Sequence, residues 1–279
     1  MFTTAPTALG RLQSAYRSGT KLVLLFDYDG TLAPIVQHPR LARLALKMER
    51  VLEALSRQPR LFVGVVSGRM IDDLKARVGL PGLYYCGANG LELDLHGRQI
   101  VHPRAGTKCG LIHDLALRLE TGLAEYSGAW VENKRFGLTV HYRAADRHLI
   151  EDLRLRTEQI LRPFGNHLDV RDGPMAIEVT LALGWSKGSA VRMIVEDVGQ
   201  DVFPFYAGDE DNDSPAFEAV TALGGIAVGI GPRAPSTVHD RLPGPASLAQ
   251  FLFGFLASLR LGGERRKPSE DYAPGQVEK

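Results

Sequence analysis

The sequence predicts an α/β fold: a doubly wound, mainly parallel sheet with an inserted α+β unit. Three observations carry that expectation. Short apolar runs that do not alternate with polar residues read as strands buried on both faces. Helical patterns separate these runs, as crossovers between parallel strands require. From about residue 104 to 184 the order changes to helix-β-β-helix-β-β, the pattern of an α+β unit with an antiparallel sheet.

Lys21–Phe26 (KLVLLF) and Leu61–Val66 (LFVGVV) are the first two buried strands. Between them Leu41, Leu44, Ala45, Met48, Leu52 and Leu55 recur at helical spacing. A helix over Ile71–Val78 leads to a strand at Leu83–Cys86. A hairpin then pairs Leu91–Leu93 with Gln99–Val101 around Asp94-Leu95-His96-Gly97. In the inserted unit, Leu111, Leu115, Leu119 and Leu123 mark an amphipathic helix. Strands at Ala129–Asn133 and Gly137–Tyr142 follow, then a helix from Arg147 to Leu161 and strands at Leu168–Arg171 and Met175–Thr180. The first pattern resumes with helix Lys187–Glu196, strand Phe203–Ala207, helix Ala216–Val220, strand Ile226–Ile230 and helix Ser247–Leu259. The implied organisation is one discontinuous core over 1–103 and 185–261, with 104–184 inserted as a second domain. The polar, Pro/Gly-rich tail Gly262–Lys279 is expected to be disordered.

Composition narrows the class. The 279 residues include 33 Lys+Arg against 32 Asp+Glu, a net charge of +1, which argues against a nucleic-acid partner. The longest apolar runs, such as Leu22–Phe26, are too short to span a membrane, and the N-terminus lacks an apolar export signal. Two cysteines, Cys86 and Cys109, suit a reducing compartment, so a cytoplasmic protein is expected.

Two acidic clusters carry the chemistry. Asp27 and Asp29, at i and i+2, leave the carboxyl end of a buried strand pointing the same way, at the sheet edge where ligands bind such folds. Like charges so close call for a divalent cation. A plain turn would use Asp29-Gly30 and leave Asp27 unexplained. Gly208-Asp209-Glu210-Asp211-Asn212-Asp213 follows another buried strand, and parallel topology brings it to the same edge. Alone it would read equally well as a helix cap; with the first cluster it reads as metal ligation through Asp209 and Asp213. Ser67-Gly68-Arg69 offers a hydroxyl and backbone N–H groups to a phosphate. Lys187 begins a helix, where its charge opposes the dipole and invites a functional account.

These four loops, in the order Asp-x-Asp-x-Thr, Ser, Lys and Gly-Asp-x-x-x-Asp, resemble the haloacid dehalogenase superfamily of phosphotransferases. More narrowly, most of residues 20–255 resembles the trehalose-6-phosphate phosphatases, which insert a C2B-type cap. The likeness rests on FDYDGTLAPI (Phe26–Ile35), VVSGR (Val65–Arg69), VENK…GLTVHYR (Val131–Arg143), AIEV (Ala176–Val179), SKG (Ser186–Gly188) and GDExxD (Gly208–Asp213). It implies a Mg²⁺-dependent phosphatase of trehalose biosynthesis acting through an aspartyl-phosphate. Asp27 would be nucleophile and Asp29 acid/base, with Thr31 orienting their loop and Ser67 and Lys187 holding the phosphoryl oxygens. Asp27, Asp29 and Asp209 would form the metal site, with Asp213 either a direct ligand or a support behind them. Glu132, Lys134 and Glu178 would meet the sugar, joined by Gly68, Arg69, Asn89 and His141. A link to a trehalose-6-phosphate synthase fits the same resemblance. The chain departs from the family pattern at Asn89 (usually His), at Thr180-Leu181 (usually Arg-Pro), and at Glu210 and Asn212 (usually Asp and Thr). The first two of these bear on the sugar. A phosphatase for another glycosyl phosphate, such as sucrose 6-phosphate or a mannosyl- or glucosyl-glycerate phosphate, therefore stays open. So does a non-catalytic sugar-phosphate sensor.

Overall fold

The computed structural model describes residues 6–263 apart from 37 and 174. In chain order the elements are α1 (Pro6–Arg17), β1 (Lys21–Phe26), α2 (Leu46–Ser56), β2 (Leu61–Val66), α3 (Ile71–Val78), β3 (Tyr84–Gly87), β4 (Glu92–Leu95) and β5 (Arg98–Val101). Then come α4 (Pro103–Gly122), β6 (Trp130–Asn133), β7 (Gly137–His141), α5 (Ile150–Leu161), β8 (Leu168–Gly173) and β9 (Ala176–Leu181). The chain ends with α6 (Lys187–Val198), β10 (Val202–Gly208), α7 (Ser214–Ala222), β11 (Ile226–Ile230), β12 (Asp240–Leu242) and α8 (Pro245–Gly263).

The large sheet has the order β12-β11-β10-β1-β2-β3-β4-β5, parallel except at the β4 and β5 edge. β1 sits at its centre, buried on both faces as its unalternating apolar run requires. Leu22, Leu24 and Phe26 pack toward α1, α2 and α8, and Val23 and Leu25 toward α6 and α7. Register sets the site: Phe26 lies level with Val65 of β2 and Ala207 of β10, so the residues after all three strands emerge at one edge. The second sheet, β6-β7-β9-β8, is antiparallel and packs against α4 and α5 through Ile112, Leu115, Leu119, Leu138, Val140 and Leu153.

Several predicted boundaries shift for identifiable reasons. Leu41 and Leu44 precede α2: residues 39–41 form a single 3₁₀ turn, and Leu41 is exposed. The β4–β5 turn is only His96-Gly97, both at positive φ (53° and 94°), as a tight two-residue hairpin demands. α1 and β12 are additions to the predicted elements; α1 buries Ala8 and Leu12 in the cluster that holds Leu252 and Phe255 of α8. α8 runs through Gly263, two residues into the expected tail, and the rest of that tail lies outside the described residues. Among the described residues no helix is long and apolar enough to cross a membrane.

The chain crosses between the sheets after β5 and after β9, and the two crossings are fastened together. His102 N–H donates to the Leu91 carbonyl (2.9 Å) and Trp185 Nε1–H to the Gly90 carbonyl (2.6 Å). The His102 and Trp185 rings meet edge to face at 4.8 Å. Gly90 has φ 109°, and a Cβ there would lie 2.6 Å from the Ser186 carbonyl, so this approach requires glycine.

Candidate active site

The turn after β1 is closed by its own backbone: Leu32 and Ala33 N–H both donate to the Tyr28 carbonyl (3.0 and 2.8 Å), and Gly30 N–H to Ala33 (2.7 Å). Gly30 adopts φ 86°, and a Cβ there would lie 2.1 Å from Asp209 Oδ2. Glycine thus lets the two acidic loops touch. Asp27 is 5% exposed, and its N–H extends the sheet to the Ala207 carbonyl (2.9 Å). Burial, reinforced by Asp213 and Asp209, pushes its carboxyl well above the usual carboxylate range despite the neighbouring Lys187.

Lys187 spends its three N–H donors on Asp27 Oδ1 (2.8 Å), Asp213 Oδ1 (2.7 Å) and Asn212 Oδ1 (2.9 Å). It is 2% exposed; burial opposes its charge, but Asp213 and Asp27 outweigh that and raise its pKa above the ordinary lysine range. The ammonium is therefore fixed as a cation beside Asp27. Ser186 caps α6 with Ser189 in a reciprocal capping box, which places Lys187 at the first helical position. Asp213, fully buried, also accepts from Tyr206 Oη (2.6 Å) and from the Asp209 and Glu210 N–H groups (3.0 and 3.3 Å). Both its oxygens are thereby engaged.

Asp209 is different. Arg233 donates to its Oδ2, while Oδ1 is buried without a partner. Burial raises its pKa to about 6 against the pull of Arg233, and burial raises neighbouring Glu210 to about 7. One oxygen from each of Asp27, Asp209 and Asp213 lies within 4.8 Å of the others. Hard carboxylate donors, clustered and buried, with one orphaned oxygen among them, fit a small divalent cation.

Ser67 follows β2 and is buried; its Oγ accepts from Arg69 N–H (3.2 Å). Arg69 grips Asp29 with two donors, Nε to Oδ2 (2.6 Å) and Nη2 to Oδ1 (2.8 Å), and reaches Asp73 at 2.8 Å. Asn89 takes the left-handed conformation (φ 55°) that asparagine tolerates, beside Gly68, and its Oδ1 is buried without a partner. Thr31 Oγ1 is likewise buried and unpartnered.

The second sheet forms the opposite wall. Its register puts Glu132, Thr139 and Glu178 in one row across β6, β7 and β9. His141 Nε2 contacts Glu132 Oε2 at 2.9 Å, and Lys134 Nζ lies 3.7 Å from the same oxygen. Burial alone would raise Glu132; the His141 hydrogen bond and the Lys134 charge hold it below the usual carboxylate range.

The walls enclose a cleft of about 370 Å³. Asp27, Asp29, Ser67, Gly68, Arg69, Asn89, Glu132, Lys134, His141, Glu178 and Lys187 line it. Thr31, Asp209 and Asp213 do not; they sit buried behind it. Sequence reasoning missed Arg233, Tyr206 and Thr139. Thr139 was open to discovery, since it alternates with His141 on one strand face. Arg233 and Tyr206 carry no local signal, because their partners lie in other segments.

Fold and site together define a phosphohydrolase of the haloacid dehalogenase type. The trehalose-phosphatase family model matches residues 25–240, and the chain belongs to that family. A trehalose-phosphate phosphatase of Mycobacterium avium is 33% identical over 250 residues, covering 84% of this chain and 62% of its own length. The probable trehalose-phosphate phosphatase D of Arabidopsis thaliana is 29% identical, covering 84% of this chain and 67% of its own. The C-terminal domain of a Candida albicans trehalose-6-phosphate phosphatase superposes with a TM-score of 0.75 at 23% identity, covering 89% of this chain and 97% of that one. That likeness shows the fold.

Proposed function

We propose that the chain hydrolyses trehalose 6-phosphate to trehalose and inorganic phosphate, with Mg²⁺ and through an aspartyl-phosphate on Asp27. The observation that carries this reading is the buried Asp27–Lys187–Asp213 ion cluster at the floor of a cleft whose opposite wall presents Glu132, Lys134 and Glu178, in a chain of the trehalose-phosphatase family. Residues 1–103 and 185–261 act as the catalytic core and 104–184 as its cap. The free cysteines suit a cytoplasmic setting beside a synthase that supplies the substrate.

Asp27, Asp209 and the Asp29 main-chain carbonyl would hold the ion, and Asp213 would aim them; when bound, Mg²⁺ supplies charge neutralisation between the carboxylate and the phosphoryl oxygens. An Asp27 oxygen attacks phosphorus as the bond from phosphorus to the sugar oxygen breaks. Lys187 and Ser67 hold the phosphoryl oxygens as charge spreads over them. Asp29 gives its proton to the leaving sugar oxygen, then takes one from the water that cleaves the Asp27–phosphate bond. Arg69, with donors to both Asp29 oxygens, holds that carboxyl in place at the cleft. The deciding experiment is phosphate release from a panel of sugar phosphates, with and without EDTA. Preference for trehalose 6-phosphate, abolished by chelation, is expected; no preference for it would sink the reading. A second reading, another glycosyl phosphate, rests on Asn89 and Thr180, which line the cleft where the family pattern differs. The same panel separates the two.

A further inference from the structure

The four-stranded sheet carries a ring stack that reaches the lobe of the large sheet. Trp130 on β6 is paired with His141 on β7, and their rings stack at 4.1 Å with planes 16° apart. The Trp130 ring also stacks with His38, 5.7 Å away and 4° from parallel. His38 belongs to the β1–α2 connection, downstream of the turn that carries Asp27 and Asp29. Glu132 and His141 line the cleft, whereas Trp130 and His38 do not.

The hydrogen bond from His141 to Glu132 fixes where one ring nitrogen points but leaves the ring free to swing about that contact. A parallel aromatic neighbour removes this freedom, because ring pairs have preferred geometries. With the ring no longer held, the His141 hydrogen bond to Glu132 loses its fixed direction, and the Lys134 ammonium lies farther off at 3.7 Å. We propose that Trp130 is a positioning and specificity residue, setting the His141 plane and through it the Glu132 carboxylate against the substrate's sugar, and that His38 ties this support to the aspartate-bearing lobe. The proposal rests on the sugar-phosphatase reading. Because His38 comes from the other lobe, the stack is complete only when the four-stranded sheet lies over the cleft.

The test compares trehalose 6-phosphate with para-nitrophenyl phosphate, an ester that needs the nucleophile but offers no sugar. For Trp130→Ala the KM for the sugar phosphate should rise about tenfold with kcat within about twofold, the scale of one misdirected charged hydrogen bond. The preference for the sugar phosphate over the nitrophenyl ester should fall by about the same factor. Trp130→Phe should recover most of the loss, and His38→Ala should raise KM by about threefold, a smaller share of the same term. Equal losses on both esters, or none on either, would overturn the proposal. If the wild type cleaves the nitrophenyl ester but not trehalose 6-phosphate, the functional reading fails and the stack is judged by fluorescence. Stacked imidazole quenches indole emission, so the Trp130 contribution, taken against Trp130→Phe, should brighten in His38→Ala and in His141→Ala. Unchanged emission there also overturns the proposal.

Discussion

On the large-sheet wall of the cleft, burial pushes Asp27, Asp209 and Glu210 upward, and their local cations, Lys187 and Arg233, do not offset it. On the four-stranded wall, Glu132 is held low because His141 and Lys134 stand within its own sheet. Both walls bury carboxylates, so burial alone does not separate them. Local counter-charge does. The wall with surplus buried negative charge suits a cation and phosphoryl transfer, while the balanced wall suits neutral hydroxyls, which need oriented hydrogen bonds and no net field.

Substitutions on the two walls should break this comparison in different ways. Asp27→Asn should lower kcat by on the order of 10⁴-fold or more, because it removes the proposed nucleophile. Glu178→Gln should instead raise KM, by about tenfold, the scale of one charged hydrogen bond. Steady-state kinetics on trehalose 6-phosphate tests both; a matching fall in kcat for Glu178→Gln would erase the distinction.

Lys187→Met should destabilise the fold by about 3–5 kcal/mol, since Asp27 and Asp213 would remain buried without their cation. Denaturant unfolding should show a larger loss at pH 8 than at pH 5, where Asp27, whose carboxyl burial already pushes upward, can be protonated. A loss independent of pH would mean that packing, not charge, makes the difference.

The smallest effect is the most discriminating. Glu210 has a folded pKa raised to about 7, so the stability it contributes is present below its unfolded value of 4.5 and is lost as pH rises through about 7. Glu132 has a lowered folded pKa, so its contribution is present above 4.5 and is lost as pH falls through the folded value. In EDTA, Glu210→Gln should therefore gain stability relative to wild type on going from pH 5 to 8. Glu132→Gln should lose stability relative to wild type on going from pH 3 to 6. Both side chains are about one-third exposed, so screening keeps each shift near 1 kcal/mol or below. Slopes of the same sign in the two variants would dissolve the contrast between the walls.

Legibility in the sequence followed the range of the interaction. β1, β2, α3 and β11 were readable to the residue, because unalternating apolar runs and helical spacing are local. β12, a three-residue Asp-Arg-Leu, has no pattern of its own and is a strand only through its pairing with β11. α1 escaped because its apolar positions acquire meaning only against α8. Within the site, Asp27, Asp29 and Lys187 announced themselves as charges at the ends of buried elements. Arg233 could not, since nothing in Gly-Pro-Arg-Ala-Pro places it 24 residues back on Asp209. The sequence also left open whether Asp213 binds metal directly. Its four hydrogen bonds, from Lys187, Tyr206 and two backbone N–H groups, favour an aiming role.

The fastening at Gly90, His102 and Trp185 has a mechanical consequence. The only covalent links between the four-stranded sheet and the rest of the chain pass through that spot, so a rigid rotation of the sheet must take its axis from there. Displacement grows with distance from an axis. Ser186, whose carbonyl nearly touches Gly90, and Asn89, its chain neighbour, stand beside the pivot, with Lys187 one residue further on. Glu132 and Trp130 belong to β6 of the four-stranded sheet, whereas Lys187 belongs to α6 beyond the second crossing. Rotation about that spot would carry Glu132 relative to Asp27 without disturbing the Lys187 contacts to Asp27 and Asp213.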